Sequence, residues 1–335
     1  MKISASIYSY KNQKLEDIIT DLDQHHIDMF HIDCNDDPEV FRDIKMIREI
    51  STTPIDLHII SSEPEKYFDL INEYKVEYVQ FQYENLKHHI SPPKNGTTSY
   101  GLGIISSTPC SIFEEYKDDF SFILFMTTIP GESGGQFQKE NFKRIRKFRN
   151  QYQDKDLHVD GGINDEVSFI LRNMGVNSVV SGSYIANNYS VGSALLGLRL
   201  NNVNSHYRIS DFMIETEDLP ILDITKTDVK EVLSTIEKYK LGFVFYYDRD
   251  GKFAGLSSNA DVRKGLLKNL SDLNAVKLAD IVNPHPVSIS DEATITDMLN
   301  LIKSKNFIIS FLPVINKKNE PVGGVTFFNM IRSEK

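Results

Sequence analysis

The first 200 residues alternate short runs of apolar, β-branched and aromatic residues with longer stretches whose apolar positions recur every three or four residues. The runs are KISASIY, MFHIDC, PIDLHII, YVQFQY, YGLGII, FILFMT, LHVDGG and SVVSGS, eight in all. Between them, segments such as KLEDIITDLDQHH and KENFKRIRKFRNQYQ carry helical spacing. Strand alternating with helix predicts parallel βα units. Eight such units close naturally into a (β/α)8 TIM barrel, an α/β fold whose chemistry sits at the C-terminal ends of the strands.

Beyond Leu200 the pattern changes. The polar run NNVNSHYR has no periodicity and reads as a linker over 201–208, which separates a barrel domain (1–200) from a second domain (209–335). There the chain repeats itself: FVFYYDRDGKFAGLSSNADVRK from Phe243 aligns without a gap with FLPVINKKNEPVGGVTFFNMIR from Phe311, a constant offset of 68 residues. Each copy reads strand, polar turn, strand, helix, and ISDFMIETED and LADIVNPHPVSI are matching leading segments. Units that cannot bury both faces alone pair with a twin, so copies 209–275 and 276–335 should form one α+β module.

Composition narrows the setting. The formal charge is −10, with 21 basic against 29 acidic residues over 1–208 and 16 against 18 over the rest. A net-acidic surface repels phosphate backbones, so no nucleic-acid partner is expected. No apolar run approaches the ~18 residues of a membrane span, and MKISASIYSY lacks the pattern of a secretory leader. No membrane association is expected, and cytoplasmic residence is. Two cysteines, Cys34 and Cys110, cannot form a disulfide framework or a metal finger, which suits a reducing compartment.

The candidate chemistry lies at the ends of three runs: His31 and Asp33 in MFHIDC, His58 in PIDLHII, Asp160 in LHVDGG. His31 and Asp33, one residue apart on a strand, share a face. If the runs are strands of one barrel, four side chains converge and can hold one divalent metal; two His with two carboxylates suit Zn, Fe(II), Mn or Co without deciding among them. A single inward His is as readily a hydrogen-bonded core residue, and it is the grouping that favours ligands. Asp33 and Asp160 approach the axis from different strands, so one could remove a proton from a carbon next to a carbonyl and the other return one, with the metal stabilising the enediolate between.

Gly134, Gly135, Gly161, Gly162, Gly182 and Ser183 fall in loops after strands 6, 7 and 8. There, glycines let backbone amides approach a phosphate dianion, although paired glycines also serve ordinary turns.

Ser6-Ile7-Tyr8, His31-Ile32-Asp33, Asp56-Leu57-His58, Met126 to Gln136, Val159 to Ile163 and Gly182-Ser183 follow one another in an order that resembles the ribulose-phosphate 3-epimerases. The resemblance covers residues 1 to about 200. It implies an isomerase in which His31, Asp33, His58 and Asp160 hold the metal, Asp33 and Asp160 double as the acid/base pair, and Ser6 touches the substrate oxygens. Met126 is the survivor of the methionines that floor the family's site. Departures are Asn35-Asp36-Asp37 after the strand-2 motif, Ile60 for a methionine, Gln82 for a strand-4 histidine, and Glu132 and Ser133 in a strand-6 loop one residue longer than usual. They alter the walls that recognise the sugar, so the expected substrate is a phosphorylated ketose other than, or broader than, ribulose 5-phosphate.

Residues 209–335 resemble a tandem pair of cystathionine-β-synthase (CBS) domains. The Gly-x-x-Ser/Thr-x-x-Asp element of that fold is matched by Gly255, Ser258 and Asp261 in the first copy, and by Gly323, Thr326 and Asn329 in the second. The resemblance implies an adenine nucleotide held through Ser258, Asp261 and Thr326, with Arg263 one turn on in reach of a phosphate; the second site has an Asn where an ionised Asp would accept both ribose hydroxyls. Such pairs also serve dimerisation, and a homo-oligomer through the barrel or this module is expected. The leading reading is therefore a metal-dependent sugar-phosphate epimerase with a nucleotide-sensing or dimerising module. Its rivals are a non-catalytic sugar-phosphate or nucleotide sensor that keeps the ligand set, and a carbon–carbon lyase or isomerase working through the same enediolate.

Overall fold

The computed structural model describes residues 1–94, 96–128, 134–200, 205 and 207–327. The described residues divide into two compact units, 1–200 and 205–327.

In the first unit the eight runs become β1 (Lys2–Ser6), β2 (Met29–Cys34), β3 (Ile55–Ile59), β4 (Tyr78–Gln82), β5 (Ser99–Ile105), β6 (Phe122–Met126), β7 (Asp156–Asp160) and β8 (Ser178–Ser181). They close in sequence order, every pair parallel, with β8 returning to β1. The crossovers carry α1 (Leu15–Gln24), α2 (Val40–Ile50), α3 (Phe68–Glu73), α4 (Glu140–Gln151), α5 (Asp165–Asn173), and after β8 a short α6 (Ser183–Ala186) and α7 (Val191–Arg199). Their apolar stripes explain the docking: α2 buries Val40, Phe41, Ile44 and Ile47, one face of a 3.6-residue period. Asn164 caps α5, its side chain accepting the Val167 amide at 2.9 Å.

Two crossovers depart from the expected helices. Among the described residues β4 is followed only by a 3-10 turn at Tyr83–Asn85 and β5 only by a 3-10 helix at Cys110–Glu115. Pro92 and Pro93 lack amide donors, so the stretch after β4 does not sustain an α-helical ladder, and Pro109 caps the start of the second 3-10 helix.

Inside the barrel, alternate residues stack in layers. At the floor Phe122 stacks on His158 with ring centroids 4.2 Å apart, and Tyr78 stands edge-on to Phe122 at 6.3 Å. Gly101 on β5 makes this possible, since a Cβ there would lie 2.2 Å from the Phe122 ring. Above the floor the filling turns polar, and that layer carries the candidate site.

The second unit opens with α8 (Ile209–Phe212), β9 (Ile214–Glu215), β10 (Ile221–Asp223), α9 (Val229–Tyr239), β11 (Phe243–Tyr247), β12 (Phe253–Ser258) and α10 (Asn259–Lys268). It continues with α11 (Leu278–Ile281), β13 (Ile289–Ser290), α12 (Ile295–Lys303), β14 (Phe311–Ile315) and β15 (Pro321–Thr326). The 68-residue repeat is carried residue for residue: the two hairpins have matching bounds, and each bulges at the equivalent place, between Tyr246 and Tyr247 and between Val314 and Ile315. Gly251 and Asn319 take the left-handed turn position, with φ of 73° and 61°.

Leading segments are exchanged between the copies. β9 pairs with β15, while Asn283 bridges Leu256 with backbone hydrogen bonds of 2.7 and 3.0 Å. The repeat mates Phe243 and Phe311 stack at 4.4 Å, and the mates Lys252 and Glu320 form an ion pair at 3.1 Å. Each copy thus completes the sheet of the other, which is the physical reason for a pair.

Candidate metal centre

Strand alternation turns His31 and Asp33 of β2, and Asp56 and His58 of β3, toward the axis. The register sets His31 beside Asp56 and Asp33 beside His58. His31, Asp33 and His58 each present a ligand atom, all within 4.8 Å of one another. Asp33 Oδ1 stands 3.4 Å from His31 Nε2 and 3.2 Å from His58 Nδ1. Asp160 of β7 brings Oδ2 to 4.0 Å from the same His31 Nε2. Three of the four expected ligands therefore form a tight set, and the fourth joins it through His31. Both histidines are sealed, whereas the two aspartate side chains keep 18% exposure and face the mouth, where a small molecule can reach them.

The fit to a cation shows in how each imidazole is backed. His31 Nδ1 lies 2.8 Å from Asp56 Oδ2, which also accepts the Ser4 hydroxyl at 2.8 Å. A carboxylate can only accept, so the ring proton sits on Nδ1 and the lone pair of neutral His31 is on Nε2. That Nε2 is buried and has no hydrogen-bond partner among the described residues. A buried nitrogen aimed at two carboxylates is what a divalent cation would satisfy, and the His2Asp2 donors suit Zn, Fe(II), Mn or Co.

Protonation tells the same story for the metal-free pocket. Burial disfavours a charged His31, but the Asp56 and Asp33 carboxylates outweigh it and hold the imidazolium well above the usual range. Burial would raise Asp33, yet His31 and His58 pull it far below a normal carboxylate, and His31 likewise holds Asp56 at about 2 against its burial. Asp160 goes the other way, pushed up to about 6 by burial, with Asp33 adding to it. Without a cation, protons balance the charge of this site.

Sequence reasoning placed Asp56 only within the Asp56-Leu57-His58 element and gave neither it nor Ser4 a role. The signal for Asp56 was present: Asp56 and His58 have the same one-residue separation as His31 and Asp33, so the same face argument applies. Gln82, expected in the sugar-binding wall, is instead buried behind His58, with Oε1 2.8 Å from His58 Nε2. Gly103 clears its place, since a Cβ there would come within 3.0 Å of that Oε1.

The other expected residues are at the same mouth. Ser6 ends β1 and accepts the Ser9 hydroxyl at 3.1 Å; Met126 ends β6 in register with Asp160. Gly161 and Gly162 follow β7 with φ of 111° and 66°, and both are crowded: added Cβ atoms would lie 2.5 Å from Thr128 Oγ1 and 2.2 Å from the Phe137 amide nitrogen. Gly135 packs on Thr128 and Gly182 on Ser9, while Gly134 faces open space. Gly135, Gly161, Gly162 and Gly182 are thus needed for loop contact whatever they bind. Ser183 begins α6. Asp36 takes a left-handed turn at φ 61° and pairs with Lys66 at 2.7 Å. Glu132 and Ser133 lie outside the described residues.

In the second unit Ser258 and Asp261 serve each other as a capping box for α10. Ser258 Oγ accepts the Asp261 amide at 3.2 Å and Asp261 Oδ2 accepts the Ser258 amide at 3.1 Å. Arg263 is exposed on α10, Thr326 ends β15, and Asn329 lies outside the described residues.

A closed eight-stranded parallel barrel with a His/Asp cluster at the C-terminal mouth, followed by a duplicated βα module, defines a TIM-barrel enzyme type with an appended domain pair. The family model of the ribulose-phosphate 3 epimerase family matches residues 2–186, more than half of the chain, and the chain belongs to that family. The CBS domain model matches residues 278–334. Similar curated proteins include the ribulose-phosphate 3-epimerase of Bacillus subtilis, 26% identical over 55% of this chain and 92% of its own. That of Methanocaldococcus jannaschii is 27% identical over 59% and 90%. Among solved structures, a CBS-pair protein from Arabidopsis thaliana is 22% identical, with TM-score 0.33, over 39% of this chain and 95% of that one. Among the described residues no helix is long and apolar enough to cross a membrane.

Proposed function

We propose that the barrel inverts the carbon next to the carbonyl of a phosphorylated ketose, with Asp33 and Asp160 as its acid/base pair and His31, Asp33, His58 and Asp160 around one divalent cation. The observation that carries this is the placement of Asp33 and Asp160: from β2 and β7, they flank a single nitrogen of His31 at 3.4 and 4.0 Å. Two carboxylates on different sides of one point can address opposite faces of a planar carbon. Asp33 takes the proton from one face and Asp160 delivers one to the other, and the reverse direction exchanges the roles. The cation, when bound, supplies Lewis-acid stabilisation to the enediolate oxygens. Ser6 orients an oxygen of the substrate, Met126 forms an apolar floor, and backbone amides around Gly134, Gly135, Gly161, Gly162, Gly182 and Ser183 meet the phosphate.

The substrate is a ketose phosphate other than, or broader than, ribulose 5-phosphate, because the turn at Asp36 and the side chain of Ile60 depart from the family's walls. In the second unit, Ser258, Asp261, Arg263 and Thr326 bind an adenine nucleotide, and self-association runs through the barrel or this unit. Metal-reconstituted protein incubated with five- to seven-carbon ketose phosphates in deuterated water tests the reaction. Incorporation of deuterium at the carbon next to the carbonyl, with epimer formation, is the expected result. Binding without exchange for every sugar would instead favour a sensor, and exchange with cleaved products a lyase. Better turnover of ribulose 5-phosphate than of all longer ketoses would remove the substrate reading alone.

A further inference from the structure

The two histidines of the cluster are held from behind by different chemistry. His31 leans directly on a carboxylate, Asp56. His58 leans on a neutral amide: Gln82 Oε1 accepts from His58 Nε2 at 2.8 Å, with both side chains sealed from solvent. The far side of that amide is fixed in turn, because Gln82 Nε2 donates to Glu84 Oε2. Glu84 is itself anchored at the end of β5, its Oε1 accepting the Ile105 amide at 3.1 Å and the Thr108 hydroxyl. Three links therefore run from β5 through Glu84 and Gln82 to the ring of His58.

We propose that Gln82 and Glu84 are positioning residues that select the proton-bearing nitrogen of His58 and so decide that Nδ1 is its metal-facing donor. This rests on the reading of the cluster as a metal site. An amide group has one accepting and one donating end. With Glu84, an acceptor, fixing the NH2 end, the carbonyl end must face His58, and a carbonyl demands a proton on Nε2. Nδ1, hydrogen-bonded to Asp33 Oδ1 at 3.2 Å in the metal-free cluster, is then the nitrogen whose proton a cation would replace, while the Nε2 proton stays directed at Gln82. Gly103 keeps the space, since a side chain there would press on both Gln82 Oε1 and His58 Nε2. A neutral amide also polarises the imidazole less than an ionised carboxylate does, so His58 is a weaker, more exchangeable donor than His31.

The test is cobalt(II) binding to the full chain, followed by the visible d–d spectrum, together with 15N correlation spectra of the zinc-loaded protein. Gln82→Met keeps the length and removes the amide; Glu84→Ala leaves the amide free to flip. Expected are a loss of cobalt affinity of about 10–100-fold for Gln82→Met and a smaller loss for Glu84→Ala, since outer partners of ligating histidines carry effects of that size. The zinc-loaded wild type should show His58 with Nε2 protonated and slow to exchange, and the variants should lose that protection. Should Gln82→Met fail to fold, Glu84→Ala, whose side chain is at the surface, carries the test. Wild-type affinity with an unchanged spectrum in the variant that folds overturns the relay. A wild type that takes up no cobalt overturns the metal reading itself, a separate result.

Discussion

His31 Nδ1 and Asp56 Oδ2 lie 2.8 Å apart in the sealed middle of the barrel, each 1% exposed. This pair orients His31 and is also a buried ion pair in the metal-free protein. Removing one partner strands the other charge, which costs about 3–5 kcal/mol. His31→Ala should therefore lower stability by that order even without metal, read as a shift of the urea midpoint. Asp56→Asn keeps the volume and should weaken zinc binding about 10–100-fold, measured by competition with a chelating dye.

Metal uptake should release protons. His31 must be neutral and Asp160 ionised to act as ligands, yet burial and Asp33 push Asp160 up to about 6, and Asp56 and Asp33 hold His31 protonated well above its usual range. Both shifts favour the protonated, metal-free form, so affinity should fall as pH drops through 7 toward 6. Calorimetric titration with zinc in two buffers of different ionisation enthalpy should give heats that differ by at least one proton; identical heats would contradict the shifts.

Raised pKa values also set the sign of stability against pH for these two groups. Their protonated forms stabilise the metal-free fold below the unfolded values, and that contribution is lost as pH rises through about 6 for Asp160 and through the higher folded value of His31. The stabilisation gained from saturating zinc should therefore be larger at pH 8 than at pH 6, as seen in melting curves with and without zinc.

Asp33→Asn and Asp160→Asn should each slow epimerisation by about 10²–10⁴-fold, the range for a lost acid/base group. Deuterium from solvent should still enter one epimer in each variant, and a different epimer in the two. Loss of exchange from both epimers in one variant, with both epimers still exchanging in the other, would point to a single base.

Gly162→Ala should destabilise the barrel by about 1–3 kcal/mol. A Cβ there meets the Phe137 amide nitrogen at 2.2 Å, and φ of 66° is a conformation costly for alanine. Thermal melting checks it, and an unchanged midpoint would mean that the loop can shift without cost.

For the second unit, adenosine monophosphate should raise the melting temperature, and Asp261→Asn should abolish the shift. Asn retains an oxygen for the Ser258 amide, so the α10 cap and the ligand-free melting point should survive while the bidentate ribose acceptor is lost. A shift of equal size in the variant would put the nucleotide elsewhere.

What could be read from sequence was whatever a short period carries. Alternation along β2 put His31 and Asp33 on one face, eight apolar runs predicted the barrel, and a constant offset disclosed two copies of strand, turn, strand and helix. None of this needs knowledge of a neighbouring strand. The same alternation reaches Asp56, whose role depends on register: only when β3 is seated beside β2 does its carboxylate meet His31.

Tertiary structure decided the rest. Gln82 read as part of a sugar-binding wall, but the stagger of β4 against β3 and the missing side chain of Gly103 put it behind His58. Glycines after β7 and β8 read as a phosphate cradle, and the folded loops show that they are also demanded by close contact with Thr128, Phe137 and Ser9. Residue types and local spacing determined which donors this protein has. Which atom of each donor faces the centre was set by hydrogen bonds between strands far apart in the chain, because an imidazole or an amide takes its polarity from the partner at its other end.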